Sequence, residues 1–107
     1  MLIKYDIDID KDAVIGNIDR ITNQIFKLLP SREEGGEWVI PLQNLILEMG
    51  GMSRLLNHSL LFSLLSKMEA MLTLDKEEDF LSFRKMIFEC LGILNSLKEE
   101  LQDDRVR

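Results

Sequence analysis

Four aspartates stand on alternate positions near the N-terminus, Asp6, Asp8, Asp10 and Asp12. Carboxylates at that spacing could open a calcium loop, which uses side-chain oxygens at its first, third and fifth positions. The same loop needs glycine at its sixth position for a sharp turn and glutamate at its twelfth as a bidentate ligand. Counted from Asp6, those positions hold Lys11 and Asn17, so no metal is expected. The alternation has a plainer reading. In IKYDIDID the apolar Ile3, Tyr5, Ile7 and Ile9 fall on one side and the aspartates on the other, the period of a half-buried extended segment. Residues 1–10 are therefore expected to be extended, either packing that apolar row along the rest of the chain or pairing as an edge strand with a second copy.

Other chemistry-bearing residues are as sparse. Arg54 and His58 resemble in type the arginine–histidine motif of the helical HEPN ribonucleases, but that motif spaces its pair more widely than RLLNH does, and no role is carried over. A magnesium site similar to that of the all-helical MazG-type pyrophosphohydrolases needs clustered glutamates facing inward. Here Glu33 and Glu34 adjoin Gly35 and Gly36 in a loop, and Glu48 stands alone. A di-iron bundle needs Glu-x-x-His on paired helices, which a single histidine excludes. Cys90 lies on an apolar helical stripe and reads as an inert, small hydrophobe. No glycine-rich phosphate loop and no partnered nucleophile is found. The expectation is a protein that is not an enzyme and holds no cofactor.

The elements that would position any site are helices. Val14, Ile18, Ile21, Ile25 and Leu28 step by four and three, one face of a helix over 11–29. Asp10 or Asp12 suits its N-cap, and Pro30 is expected to end it. A second helix is predicted over 41–57, opening at Pro41, with Leu42, Leu45, Ile46, Met49, Met52 and Leu56 on its face. Gly50 and Gly51 in its middle imply a kink, a break or a close neighbour. A third helix over 59–74 takes Ser59 as N-cap, and His58 suits the C-terminal end of the second. A fourth over 76–102 opens with Asp75 and Glu78 at capping-box spacing. Its face is Phe80, Phe83, Ile87, Cys90, Leu91, Leu94, Leu97 and Leu101. Trp38 is expected to fold onto the bundle end, and residues 103–107 to fray.

Short connections force antiparallel neighbours, so the economical architecture is all-α: an antiparallel up-down four-helix bundle with a short extended N-terminal segment. At 107 residues the chain is one domain. Its net charge of −6 argues against nucleic acid, which rewards clustered cations, and against anionic membrane surfaces. One cysteine, no basic-then-apolar leader and no membrane-length apolar run suggest a reduced, cytoplasmic protein.

What remains is surface. Opposite the apolar face of the third helix, Ser59, Ser63, Ser66, Ala70 and Thr73 replace the usual Lys and Glu with small uncharged side chains, which let another helix come close. Leu81 and Phe88 on one flank of the fourth helix, and Met86 and Ile93 on the other, make it more apolar than one seam requires. The expected partner is protein. Ser63, Ser66, Ala70, Thr73, Leu81, Met86, Phe88 and Ile93 would form the interface of a homodimeric adaptor or regulator, of a kind that phages and mobile elements carry. The alternative is an enzyme or ligand-binding bundle with a pocket near Gly50 and Gly51.

Overall fold

A computed structural model describes residues 11–56 and 58–106, with side chains described for 12–56 and 58–102. The proposed strand of Ile3, Tyr5, Ile7 and Ile9 lies outside the described residues. Four helices follow one another: α1 (Lys11–Glu33), α2 (Val39–Leu56), α3 (Ser59–Met71) and α4 (Phe80–Val106), the last entered through a 3-10 turn at Glu77–Asp79. They form an antiparallel four-helix bundle 46 Å long. Neighbours pack in ring order, α1 on α4, α4 on α3 and α3 on α2, and the ring closes through the sparser contact of α1 with α2.

The stripes read from the sequence are the core. Ile18, Ile21 and Ile25 meet Leu42 and Met49, Leu61, Leu64 and Met68, and Phe83, Ile87 and Leu94, all essentially out of solvent. Each such side chain contributes roughly 1.5–3 kcal/mol by leaving water. Ser53 is the buried polar exception, and its hydroxyl donates to the Gly50 carbonyl at 2.9 Å.

The helix ends differ from expectation in instructive ways. Pro30 does not stop α1, which runs on to Glu33. A proline removes one helical hydrogen bond, but Pro30 and Phe26, four residues before it, both lie on the exposed side of α1, where the loss is cheapest. The helix ends instead at Gly35, whose φ is +77°. Gly35 N–H donates to the Arg32 carbonyl at 3.1 Å and Gly36 N–H to the Ser31 carbonyl at 2.7 Å, the paired bonds of a Schellman cap, which needs a left-handed residue at that point. The α2 helix starts at Val39 rather than 41 because the Glu37 carboxylate accepts from the Val39 and Ile40 amides, at 2.9 and 3.1 Å.

His58, not Ser59, is the N-cap of α3. Its backbone is extended and its Nδ1 accepts from the Leu60 amide at 3.0 Å, so it serves the start of α3 rather than the end of α2. The α3 helix closes at Met71, short of 74. Before α4 the reciprocal contact has moved one residue along: the Lys76 amide donates to Asp79 at 3.3 Å, in place of the expected pair of Asp75 and Glu78. The 3-10 turn tightens the entry and brings Asp79 rather than Glu78 back onto the chain. At its other end α4 continues to Val106, through residues that the sequence pattern assigned to a tail.

Candidate functional site

Two charged or polar clusters could do chemistry, and the geometry of each is structural. At one bundle end Arg32 reaches inward from α1. Its guanidinium donates to the carbonyls of Leu74 and Lys76, the latter at 2.7 Å. It also stacks 4.7 Å from the Trp38 ring and 4.5 Å from Phe83. Trp38 is half-buried and meets Phe83 edge-on, with centroids 4.9 Å apart, so it does fold onto the bundle end. Arg32 thus ties α1, the α1–α2 connection and the α3–α4 connection together, and its donors are spent on backbone.

At the opposite end His58 bridges two elements. Nδ1 takes the Leu60 amide proton, which leaves Nε2 as the protonated nitrogen facing Glu100 at 2.9 Å. Both ring nitrogens are engaged in holding α3 to α4. Glu48 pairs with Arg20 across the α1–α2 seam, and Glu33 and Glu34 are exposed at the end of α1. Among the described residues no group of three or more His, Cys, Asp or Glu lies together as a metal site would require. Cys90 is buried, with its Sγ 3.9 Å from the Met71 sulfur, and burial pushes its thiol up to about 12. A thiol held neutral in this way is a poor nucleophile.

Gly50 and Gly51, where the alternative reading expects a pocket, line neither of two grooves on the molecule. One groove runs along the α1–α2 seam, floored by Leu28 and Leu45 and walled by Arg20, Gln24, Lys27, Asn44 and Glu48. Another lies at the bundle end beside Trp38, Phe80, Asp75 and Glu77. The α2 helix passes through both glycines without a break. A Cβ on Gly51 would meet nothing within 4 Å and one on Gly50 only the Arg54 guanidinium at 3.9 Å. Among the described residues no neighbouring helix comes within 4 Å of a Cβ at either position, so the expected close packing is not found there.

The residues read as an interface divide into two sets. Ser63, Ser66 and Thr73 are exposed on the outer face of α3, with Ala70 partly covered. Leu81 and Phe88 are exposed on α4, Leu81 at 75%. Met86 and Ile93 are instead partly buried against the core. They lie three and four residues from Glu89, which bonds Lys67 of α3 at 3.0 Å, so they fill the α3–α4 seam rather than widening an outer surface. Leu81 and Phe88 are also interrupted by charge, with the Arg84 guanidinium 5.6 Å from the Phe88 ring.

A better candidate was missed by reading core faces alone. On the outer face of α2, Ile40, Leu47 and Leu55 are exposed, Leu47 at 76%, and Phe62 of α3 at 49%. Ile40, Leu47, Gly51 and Leu55 are separated by seven, four and four residues, one helical stripe directed away from Leu42, Leu45 and Met49. That spacing was visible in the sequence; the two glycines drew attention to helix breaking rather than to the large side chains beside them. In α2 only Glu48 and Arg54 are charged, and in α3 only Lys67 and Glu69. With Ser63 and Ser66 these residues make the outer face of α2 and α3 apolar, small and poor in charge.

No helix among the described residues is long and apolar enough to cross a membrane. Neither a protein-family model, a curated protein nor a solved structure matches the chain, so its function has to be read from its own surface.

Proposed function

We propose that this chain is a non-catalytic protein-binding bundle, a homodimeric adaptor or regulator of the reduced cytoplasm. The observation that supports this is the outer face of α2 and α3, where Ile40, Leu47, Leu55 and Phe62 are exposed among glycines and serines. Exposed apolar side chains grouped on one face mark interfaces more often than chance, and an interface centre is depleted of charge as this face is. The polar clusters support the same reading, because Arg32 and His58 are committed to holding helices and loops. Net charge of −6 favours a protein partner over nucleic acid.

Light scattering of the full chain tests the reading, with affinity purification of the tagged protein from its native cell alongside. A mass twice 12.4 kDa at tens of micromolar, or one protein recovered in fixed proportion, is expected. A chain that stays monomeric and recovers no partner would overturn it.

A further inference from the structure

Gly50 and Gly51 sit mid-helix, and nothing among the described residues requires glycine there. Glycine is the poorest helix former after proline. Neither residue has the left-handed backbone that calls for glycine, which α1 needs at Gly35 alone among the described glycines. No neighbouring helix crowds them, since the space where a Cβ would stand is open apart from the tip of Arg54 at 3.9 Å from Gly50. The gap therefore faces outward. Four residues before Gly51, on the same stripe, Leu47 projects three-quarters exposed.

We propose that α2 lies on the two-fold axis of a homodimer, with Leu47 of each copy seated in the gap over Gly51 of the other. This rests on the self-association reading above and assigns its contact surface. A second copy is the fitting occupant because knob and gap belong to one stripe. A two-fold axis passing near residue 49 fills both gaps with both leucines at once, the self-complementarity of an isologous contact. Charge points the same way. A chain of net charge −6 repels its copy from most directions, and α2 and α3 together offer only Glu48, paired with Arg20, Lys67, paired with Glu89, and the oppositely charged Arg54 and Glu69.

Glycine at the crossing lets the axes approach to the short end of the usual range, about 8 Å. The stripe from Ile40 to Leu55 is about 22 Å long, and with α3 beside α2 the face is about 20 Å wide. Two such faces cover roughly 900 Å² in plan, below the range of about 1,200–2,000 Å² for stable interfaces and in the class of weak, transient ones. The dimer is accordingly reversible, dissociating in the micromolar range.

Sedimentation over a concentration series tests this on the full chain. The variants are Leu47→Ala, Gly51→Leu and the two combined. Leu47 is exposed and Gly51 has open space, so each variant keeps the fold; unchanged helical circular dichroism checks that. Each single change is expected to raise the dimer Kd at least tenfold, the first by removing the knob and the second by filling the gap. The double variant exchanges small and large positions across the axis and is expected to recover most of the loss. A wild type that is monomeric at tens of micromolar overturns both this contact and self-association. A wild-type dimer whose Kd neither single change alters overturns this contact and leaves self-association standing. Weakened singles with no recovery in the double variant overturn the seating of Leu47 over Gly51.

Discussion

The two halves of the bundle differ in the charge they carry. The α1 helix carries seven charged residues and α4 nine, against two each in α2 and α3. Where α1 and α4 expose aromatic rings, charge stands beside them: Phe26 adjoins Lys27, and Arg84 lies over Phe88. Their outer surfaces also carry a cross-helix ion pair, Lys98 with Asp19 at 2.8 Å. On α2 the neighbours of Leu47 along the stripe are the exposed Ile40 and Leu55 and the half-buried Gly51. All four helices contribute buried side chains to the core, so the contrast lies in the outer surface. It teaches that core-forming power and outer-surface composition are set separately.

The largest effect tests the charge-rich half at the place where its charge turns inward. Arg32→Ala should destabilise the fold by about 3 kcal/mol, from charged hydrogen bonds to two carbonyls and stacking on two aromatic rings, as read by urea unfolding. Arg32→Lys should recover less than half, because an ammonium lacks the planar fork that serves both carbonyls. A loss within 0.5 kcal/mol, about the spread of neutral surface changes, would show that this cation is no more structural than the outer ones.

Placing a carboxylate on each half sharpens the contrast directly. Phe62→Glu and Phe88→Glu replace rings of equal exposure, 49% each. Phe62→Glu should weaken self-association at least tenfold, or about 1.4 kcal/mol, whereas Phe88→Glu should leave it unchanged in sedimentation. Equal effects from the two would erase the distinction between the halves.

The glycine pair gives a smaller effect of opposite sign. At concentrations low enough to keep the chain monomeric, Gly50→Ala and Gly51→Ala should each raise stability by up to about 1 kcal/mol, because the added methyl meets open space. A fall in the monomer melting temperature for both would mean that the interior needs them after all.

The smallest effects belong to exposed pairs. Lys98→Met should cost no more than about 0.5 kcal/mol and less at high salt. The hydrogen bond from Lys67 holds the Glu89 carboxyl below its ordinary value. Its contribution is present above the ordinary carboxylate range and is lost as pH falls through the lowered value. Glu89→Gln should therefore lower stability slightly near neutrality and flatten the acid limb of an unfolding profile, the difference from the wild type vanishing below the lowered value.

The helices were legible because their apolar stripes are long and regular. Val14 to Leu28, Leu42 to Leu56 and Phe83 to Leu101 repeat at helical spacing, and burial follows that spacing residue by residue. Local chemistry was harder to place. Pro30 reads as a stop in isolation, yet it lies on the exposed side of α1, where the missing donor costs least, and the paired glycines three residues on from Arg32 end the helix instead. His58 could serve either neighbouring helix by type; its extended backbone and the nearness of Glu100 decided for α3. Of the surface candidates, Ser63, Ser66 and Thr73 were correctly placed outside, because they oppose Leu61, Leu64 and Met68 at fixed helical offsets. Met86 and Ile93 were misread, because whether a flanking residue is exposed depends on which helix lies beside it.

Periodicity by itself determined four helices, their inward faces and their antiparallel order, since each of these follows from side-chain spacing and short connections within a few residues of chain. Tertiary structure decided what the spacing leaves open. It decided that Arg32 locks two distant connections, that the space above Gly51 is open among the described residues, and that the α1–α2 seam is the loosest. Those properties depend on distances between segments tens of residues apart, which no local pattern encodes. The outward gap beside Leu47 became visible only once every neighbouring helix had a place.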